Sequence, residues 1–559
     1  MRNKCRLIFL SLSVCFFLPA CHTGPRADTI IRNGLIYDGS GNAPVRGDLA
    51  ISADTIMAIG DLAGYSAKNE IDAGGKAVAP GFINMLSWAG GTLLDDGRGQ
   101  SDTRQGITLE VFGEGGSAGP LNPKMKAEAL EDFPKDKFDT TWTTLAGYLK
   151  MMEHKVTPNV ASFVGATTIR EYVLDNEDRA PTPVELDSMR LLVKQAMEEG
   201  AIGLGSSLIY PPAFFAKTDE LVELSKVVGD YNGMYISHIR SEGNKLLESL
   251  DELIEIANKA HVPAEVYHLK MAGVNNWNKY DAVVGKIDSA RKTGLQITAD
   301  MYNYDAAATG LSATMPPWAQ EGGFDKFLVR LNDPLTREKI KKEMVTPTNK
   351  WENMFLAVKS PAGILFSEFH KDSLRKYTGK TLEEVARLRN QSPEATAIDL
   401  IREDSSRVEV VYFMMTDENV KKQIRLPYMS YCSDAGSIAP EGKFLKSNPH
   451  PRAYGTFARL LGKYVREEKL IPLEQAIRGL TSLPASNMKI QRRGALKTGF
   501  YADVVVFDPA TISDHATYDK PHQYSTGMQQ VFVNGVQVLK DGEHTGATPG
   551  RVVNGPGKK

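Results

Sequence analysis

The feature that most constrains the fold is an alternation. Eight short strand-like runs, near 77–85, 107–112, 159–165, 201–206, 233–237, 264–267, 296–300 and 428–432, are separated by stretches of helical periodicity such as Pro183 to Glu199 and Lys245 to Ala260. Several runs are almost continuously apolar, the pattern of parallel strands covered on both faces. Eight strand–helix units predict an α/β chain built on a (β/α)8 TIM-like barrel. At 559 residues the chain holds such a barrel with material to spare.

The spare material falls in two places. Residues 310–425 are too many for a loop between a strand and its helix. They carry their own helical patterns (Phe324 to Leu331, Thr381 to Arg389) and a strand-like Val408 to Met414, so they read as an inserted subdomain. The chain ends are β-rich. Thr29 to Gly39 is two apolar runs around Asn33-Gly34, a hairpin signal. Val531 to Val538 repeats it around Asn534-Gly535, just after the β-branched run Ala502 to Asp508. The two ends, 28–76 and 491–545, are expected to close into one small β-sandwich beside a barrel spanning 77–490.

The first residues have another purpose. Arg2 and Lys4 precede an apolar run, Leu7 to Leu18, too short to span a bilayer. Leu18-Pro19-Ala20-Cys21 then resembles the lipobox of bacterial lipoproteins. That resemblance implies a signal peptide over 1–21, lipidation of Cys21, and a protein of the cell envelope, held to a bacterial membrane by its lipid alone and facing the periplasm or exterior. Cys5 and Cys15 leave with the signal, so Cys432 is the one thiol of the mature chain and no disulfide framework is possible. A net charge of −2 gives no reason to expect nucleic acid as a partner, and a mean hydropathy of −0.28 excludes a polytopic membrane protein.

Function in such a barrel sits at the C-terminal ends of the strands. Four apolar runs end in a residue capable of metal or proton chemistry: Glu114, His238, His268 and Asp434. One histidine at a strand end is usually structural; four such residues on four converging strands point to a site. Two imidazoles and a carboxylate suffice for one divalent cation with a position left open. A second carboxylate can then serve as general base.

The surrounding motifs are specific. Ser237-His238-Ile239-Arg240-Ser241-Glu242, His268-Leu269-Lys270 with Gly273 and Trp277, Ser433-Asp434, His450-Pro451-Arg452 with Gly455-Thr456-Phe457 and Arg459, and Ala502 to Asp508 together resemble the N-acyl-D-amino-acid deacylase (D-aminoacylase) family of the amidohydrolase superfamily, over roughly 28–545. The resemblance implies hydrolysis of the amide of N-acyl-D-amino acids to a carboxylate and a D-amino acid, on a divalent metal, most often zinc. It matches His238 and His268 to the two metal-binding histidines and Asp434 to the catalytic aspartate. Lys270 and Arg240, each two residues past a proposed ligand, are candidates for the substrate carboxylate. Tyr210 after the fourth strand, Tyr302 and Tyr304 after the seventh, and Arg452 after the eighth are further candidate contacts.

The chain departs from the family twice. Gly113-Glu114-Gly115-Gly116 stands where the family has Gly-Asn-Cys-Gly, replacing a thiolate by a carboxylate. The first strand, Pro80-Gly81-Phe82-Ile83-Asn84, leads into Leu86 and Trp88 where the family has His-x-His, and neither side chain offers a lone pair to a cation. Both changes suit a one-metal site. The alternatives are a hydantoinase- or dihydroorotase-like cyclic-amide hydrolase and an inactive barrel used for binding. The first commonly bridges two metals with a carboxylated lysine after the fourth strand, and Ala201 to Tyr210 contains no lysine.

Overall fold

The structure is a computed structural model and describes residues 24–131, 133–134 and 137–559. The expected signal peptide, residues 1–21 with Cys21, lies outside the described residues.

Eight parallel strands follow one another in chain order around the barrel: Phe82–Asn84, Ile107–Phe112, Asn159–Ser162 continuing as Val164–Gly165, Gly203–Ser207, Met234–His238, Ala264–Val266, Ile297–Met301 and Met429–Tyr431. First and last meet where the Met85 N–H donates to the Tyr431 carbonyl at 3.2 Å. Asn84 reinforces this seam, donating to Ser433 Oγ at 2.8 Å and accepting from the Ser433 N–H at 2.8 Å. The covering helices follow from local signals. Pro183–Glu199 begins with a capping box between Thr182 and Glu185, has a proline in its first turn, and stops at Gly200 in the left-handed region. Its buried residues Met189, Val193, Ala196 and Met197 recur every three or four positions and face the barrel.

The β-rich ends form one nine-stranded sheet that brings the N-terminal strands Arg26–Ile36, Val45–Ser52 and Thr55–Gly60 together with the C-terminal Val504–Phe507, Met528–Val533 and Val536–Lys540. Ile31, Leu49, Val78, Val504 and Phe532 share its core. Three details differ from the sequence reading. Residues Ala77–Pro80 belong to this sheet, paired antiparallel with Val504–Phe507, so the barrel begins only at Phe82. Asn33-Gly34 is not a hairpin: Arg26–Ile36 is a single strand with a bulge, its register against Val45–Ser52 slipping between Ile31 and Gly34. Asn33 absorbs the extra residue at φ 55°, its N–H held by Asp48 Oδ1 at 2.9 Å. Lastly, residues 546–559, which lie beyond the expected sandwich, have a defined place. They run back along the barrel, Val552 bridging Val160 and the Gly555 N–H donating to the Gly200 carbonyl at 2.8 Å.

The insertion between the seventh and eighth strands holds a three-stranded sheet (Ala307–Gly310, Glu409–Tyr412, Ile364–Glu368) covered by helices including Phe324–Asn332, Pro334–Met344, Leu382–Arg389 and Pro393–Asp404. It packs over the C-terminal end of the barrel through a core shared with barrel residues Ile83, Val111 and Ile236.

Candidate metal centre

Each site residue is held by backbone geometry that the sequence around it permits. Glu114 follows the second strand between Gly113 (φ 109°) and Gly115 (φ 72°). A Cβ on Gly113 would lie 2.4 Å from the Phe163 carbonyl oxygen, and one on Gly115 2.5 Å from Ser207 Cβ, so only glycines let this turn nestle against the third and fourth strands. His268 (φ 33°) and Asp434 (φ 48°) are non-glycine residues in the left-handed region, a conformation that costs about 1–3 kcal/mol and gathers at working sites. His268 is fixed there by its N–H bond to Asp300 Oδ1 at 2.7 Å, Asp434 by its N–H bond to the Leu86 carbonyl at 3.0 Å.

Glu114, His238 and His268 converge. Glu114 Oε1 lies 2.9 Å from His238 Nδ1 and 2.9 Å from His268 Nε2, and the three ligand atoms are within 4.8 Å of one another, all buried. Burial alone would push the Glu114 carboxyl up, but the facing charge of His268 and hydrogen bonds from both imidazoles hold it well below the usual range. Behind the imidazoles sits a residue the sequence reading left without a role, Glu242. Its carboxylate lies 3.0 Å from His268 Nδ1, 3.6 Å from His238 Nε2 and 2.7 Å from Lys270 Nζ. Burial and Lys270 depress His268, yet the two carboxylates outweigh them and raise it to about 10. Two buried carboxylates thus flank the imidazoles, and a divalent cation on the three converging atoms would supply the positive charge they call for. The donors fit such a cation: one carboxylate oxygen and two ring nitrogens, with a carboxylate behind them to orient the rings. Glu242 lies four residues after His238 in an irregular loop, where spacing fixes no common face, so the sequence carries no signal for it.

Asp434 stands beside this triad at the barrel seam. The Trp88 indole N–H donates to its Oδ1 at 3.0 Å, and Arg452 Nη1 lies 2.7 Å from its Oδ2. That ion pair is off the hydrogen-bond direction, leaving Arg452 Nε and Nη1 without a directed acceptor although the residue is buried. Arg452 is oriented by His450, whose Nε2–H donates to the Ala306 carbonyl at 3.0 Å while its Nδ1 accepts the Arg452 N–H at 3.0 Å. Its guanidinium lies 4.5 Å over the Tyr302 ring, and Lys270 Nζ 5.6 Å from the same ring. The Tyr302 hydroxyl is buried and has no hydrogen-bond partner. Lys270, Tyr302 and Arg452 are therefore grouped beside the triad. Tyr210 also lines it, its ring edge-on to His238 at 5.4 Å, but its hydroxyl is engaged with Thr309 Oγ1 at 2.9 Å.

Arg240 is a correction. Its guanidinium binds Glu252 through two bonds of 2.8 Å and the carbonyls of Phe214 and Ala216 at 2.9 Å each. It bolts the loop after the fourth strand to helix Leu246–Ala260 and has no reach left for a substrate. Tyr304 likewise packs beneath the site against His450.

A barrel with a buried Glu-His-His cluster and an adjacent aspartate at its strand ends defines a metal-dependent amidohydrolase. Comparison with known proteins agrees. Residues 446–539 match the model of the amidohydrolase family. The chain is 31% identical over 534 residues to the D-aminoacylase of Alcaligenes xylosoxydans xylosoxydans, covering 94% of this chain and 97% of that one. It is 31% identical over 533 residues to the N-acyl-D-aspartate deacylase of the same organism, covering 94% and 95%. Among solved structures, the N-acyl-D-glutamate deacylase of Bordetella bronchiseptica, complexed with zinc and a phosphonate inhibitor, superposes with a TM-score of 0.78 at 28% identity, over 95% of this chain and 100% of that one. The chain belongs to the N-acyl-D-amino-acid deacylase family of amidohydrolases.

Proposed function

We propose that the protein hydrolyses the amide bond of N-acyl-D-amino acids, releasing a carboxylate and a D-amino acid, and does so with a single divalent cation, zinc in the first instance, on Glu114, His238 and His268. The observation that carries this reading is the convergence of those three ligand atoms within 4.8 Å of one another, with a second strand-end carboxylate, Asp434, close by. A cation held there by Glu114, His238 and His268 would polarise the amide carbonyl and acidify a water. Asp434 takes the proton from the attacking water and returns it to the leaving amine nitrogen. Lys270, Arg452 and the unpartnered Tyr302 hydroxyl gather two positive charges and a donor beside the triad, suited to the carboxylate of the amino acid. Glu242 steadies His268 and holds Lys270 in place. Tyr210 shapes the wall beside His238.

Two relatives act, by name, on N-acyl-D-aspartate and N-acyl-D-glutamate, so acidic and neutral side chains both belong in the test. Purified protein is offered N-acyl-D- and N-acyl-L-amino acids together with hydantoins and other cyclic amides, and amine release is followed. Turnover of the D series alone is expected. Turnover of cyclic amides instead would move the reading to that class, to which solved hydantoinases such as the one at 15% identity and a TM-score of 0.54 testify in fold only. No turnover of any of them by metal-loaded protein would favour a binding role. The lipobox at Leu18 to Cys21 supports an anchored protein of the bacterial cell envelope, meeting its small-molecule substrate outside the cytoplasm.

A further inference from the structure

We propose that Trp88 is a positioning residue for the reaction: its indole N–H holds Asp434 by one carboxylate oxygen, so that the other oxygen is free to work once Arg452 turns to the substrate. This rests on the roles proposed above for Asp434 and Arg452. In the sequence Trp88 registers only as the loss of a metal ligand. In the structure it has a definite task.

The backbone brings it there. Beyond the paired ends of the first and eighth strands the two segments continue side by side, the Asp434 N–H donating to the Leu86 carbonyl at 3.0 Å and the Trp88 N–H to the Ala435 carbonyl at 3.0 Å. The register places the Trp88 side chain across from Asp434. Asp434 is 7% exposed, and the side-chain contacts to its carboxylate among the described residues are two: Trp88 Nε1 on Oδ1 at 3.0 Å and Arg452 Nη1 on Oδ2 at 2.7 Å. The two differ in kind. An indole has one N–H, fixed in a rigid ring, and only donates. Arg452 approaches off the hydrogen-bond direction and keeps Nε and Nη1 without a directed acceptor. A substrate carboxylate offers that guanidinium a two-pronged partner. When it is drawn off, Trp88 is the side chain that remains to keep Asp434 aimed. The exchange breaks no covalent bond. Each carboxylate–guanidinium pairing replaces another, and the proton of the attacking water then goes to the vacated Oδ2.

The reach of this effect is set by positioning, and displacing a reacting group by about 1 Å costs on the order of 100-fold in rate. Trp88 is 51% exposed, so replacing it leaves the core intact. Trp88→Phe, which keeps an aromatic ring without the N–H, is expected to lower kcat roughly 10- to 100-fold, with KM and metal content close to wild type. An unchanged kcat in Trp88→Phe, or a loss confined to KM, overturns the proposal. A second measurement is independent of turnover. Of the five tryptophans, the indole N–H resonance that disappears in Trp88→Phe is identified in the spectrum of 15N-Trp-labelled protein. That resonance is expected to move upfield in Asp434→Asn, where the neutral acceptor is weaker, and its failure to move overturns the contact itself. If wild type turns over no N-acyl-D-amino acid while the resonance does move, the substrate assignment has failed and the clamp on Asp434 stands.

Discussion

Glu114 and Asp434 are both carboxylates at strand ends, yet their surroundings give them opposite duties. Glu114 is enclosed by two imidazoles at 2.9 Å and held ionised by them, the setting of a ligand. Asp434 has its oxygens on an indole and a guanidinium and touches neither histidine, the setting of a group that moves protons. Asp434→Asn is therefore expected to keep the metal and lose turnover by about 100- to 10,000-fold. A chelator should lower the Tm of this variant as it does that of wild type, because a ligand bound only by the native state stabilises by mass action. A calorimetric scan with and without chelator, beside a metal assay, checks both halves. Glu114, His238, His268 and Asp434 stood out in the sequence because four such residues end apolar strands that converge at one end of a barrel, where any one alone would pass as structural. Arg240 misled: its spacing from His238 equals that of Lys270 from His268, and only the three-dimensional position of Glu252, twelve residues on, shows where its donors go. Glu242 and Trp88 were invisible as functional residues because each acts through another side chain, and nothing in a linear pattern records that.

At the level of elements, the barrel strands were readable to within a few residues because burial on both faces leaves a continuous apolar run. The ends of the chain were less so. Asn-Gly occurs twice: Asn534 (φ 49°) and Gly535 (φ 78°) make a tight hairpin between Met528–Val533 and Val536–Lys540, whereas Asn33 makes a bulge in an unbroken strand. The local chemistry is the same and the partner strand decides. The hairpin is also where the sheet grips the barrel. The buried Asp503 accepts the Asn534 N–H at 2.8 Å and pairs with Arg493; Arg493 in turn donates to Asn534 Oδ1 at 2.8 Å, and Asn534 donates to Asn159 Oδ1 on the third barrel strand at 2.8 Å. Asp503→Ala strands the Arg493 guanidinium, which is 6% exposed, and should cost about 3–5 kcal/mol. Denaturant unfolding reads this as a lower midpoint. A midpoint unchanged from wild type would mean that the network merely decorates the joint.

For the whole molecule, the layout is a barrel whose working end is roofed by the insertion and whose flank carries the sheet built from both chain termini. Among the described residues no helix is long and apolar enough to cross a membrane. The proposed attachment rests on Cys21 and its lipobox. Cys21→Ser is expected to move the protein from the membrane to the soluble fraction with kcat and KM unchanged. Retention in the membrane fraction would contradict the lipid anchor. The central claim concerns how many cations this barrel uses: on the proposed reading Leu86, Trp88 and Glu114 stand where the family resemblance implies a His-x-His pair and a thiolate, which leaves ligands for one cation. Elemental analysis of the purified, metal-saturated protein tests it most directly: about one divalent metal per chain in wild type, with His238→Ala and His268→Ala each retaining essentially none, is the predicted result, whereas two metals per chain in wild type, or one retained with full activity in either histidine variant, would contradict it.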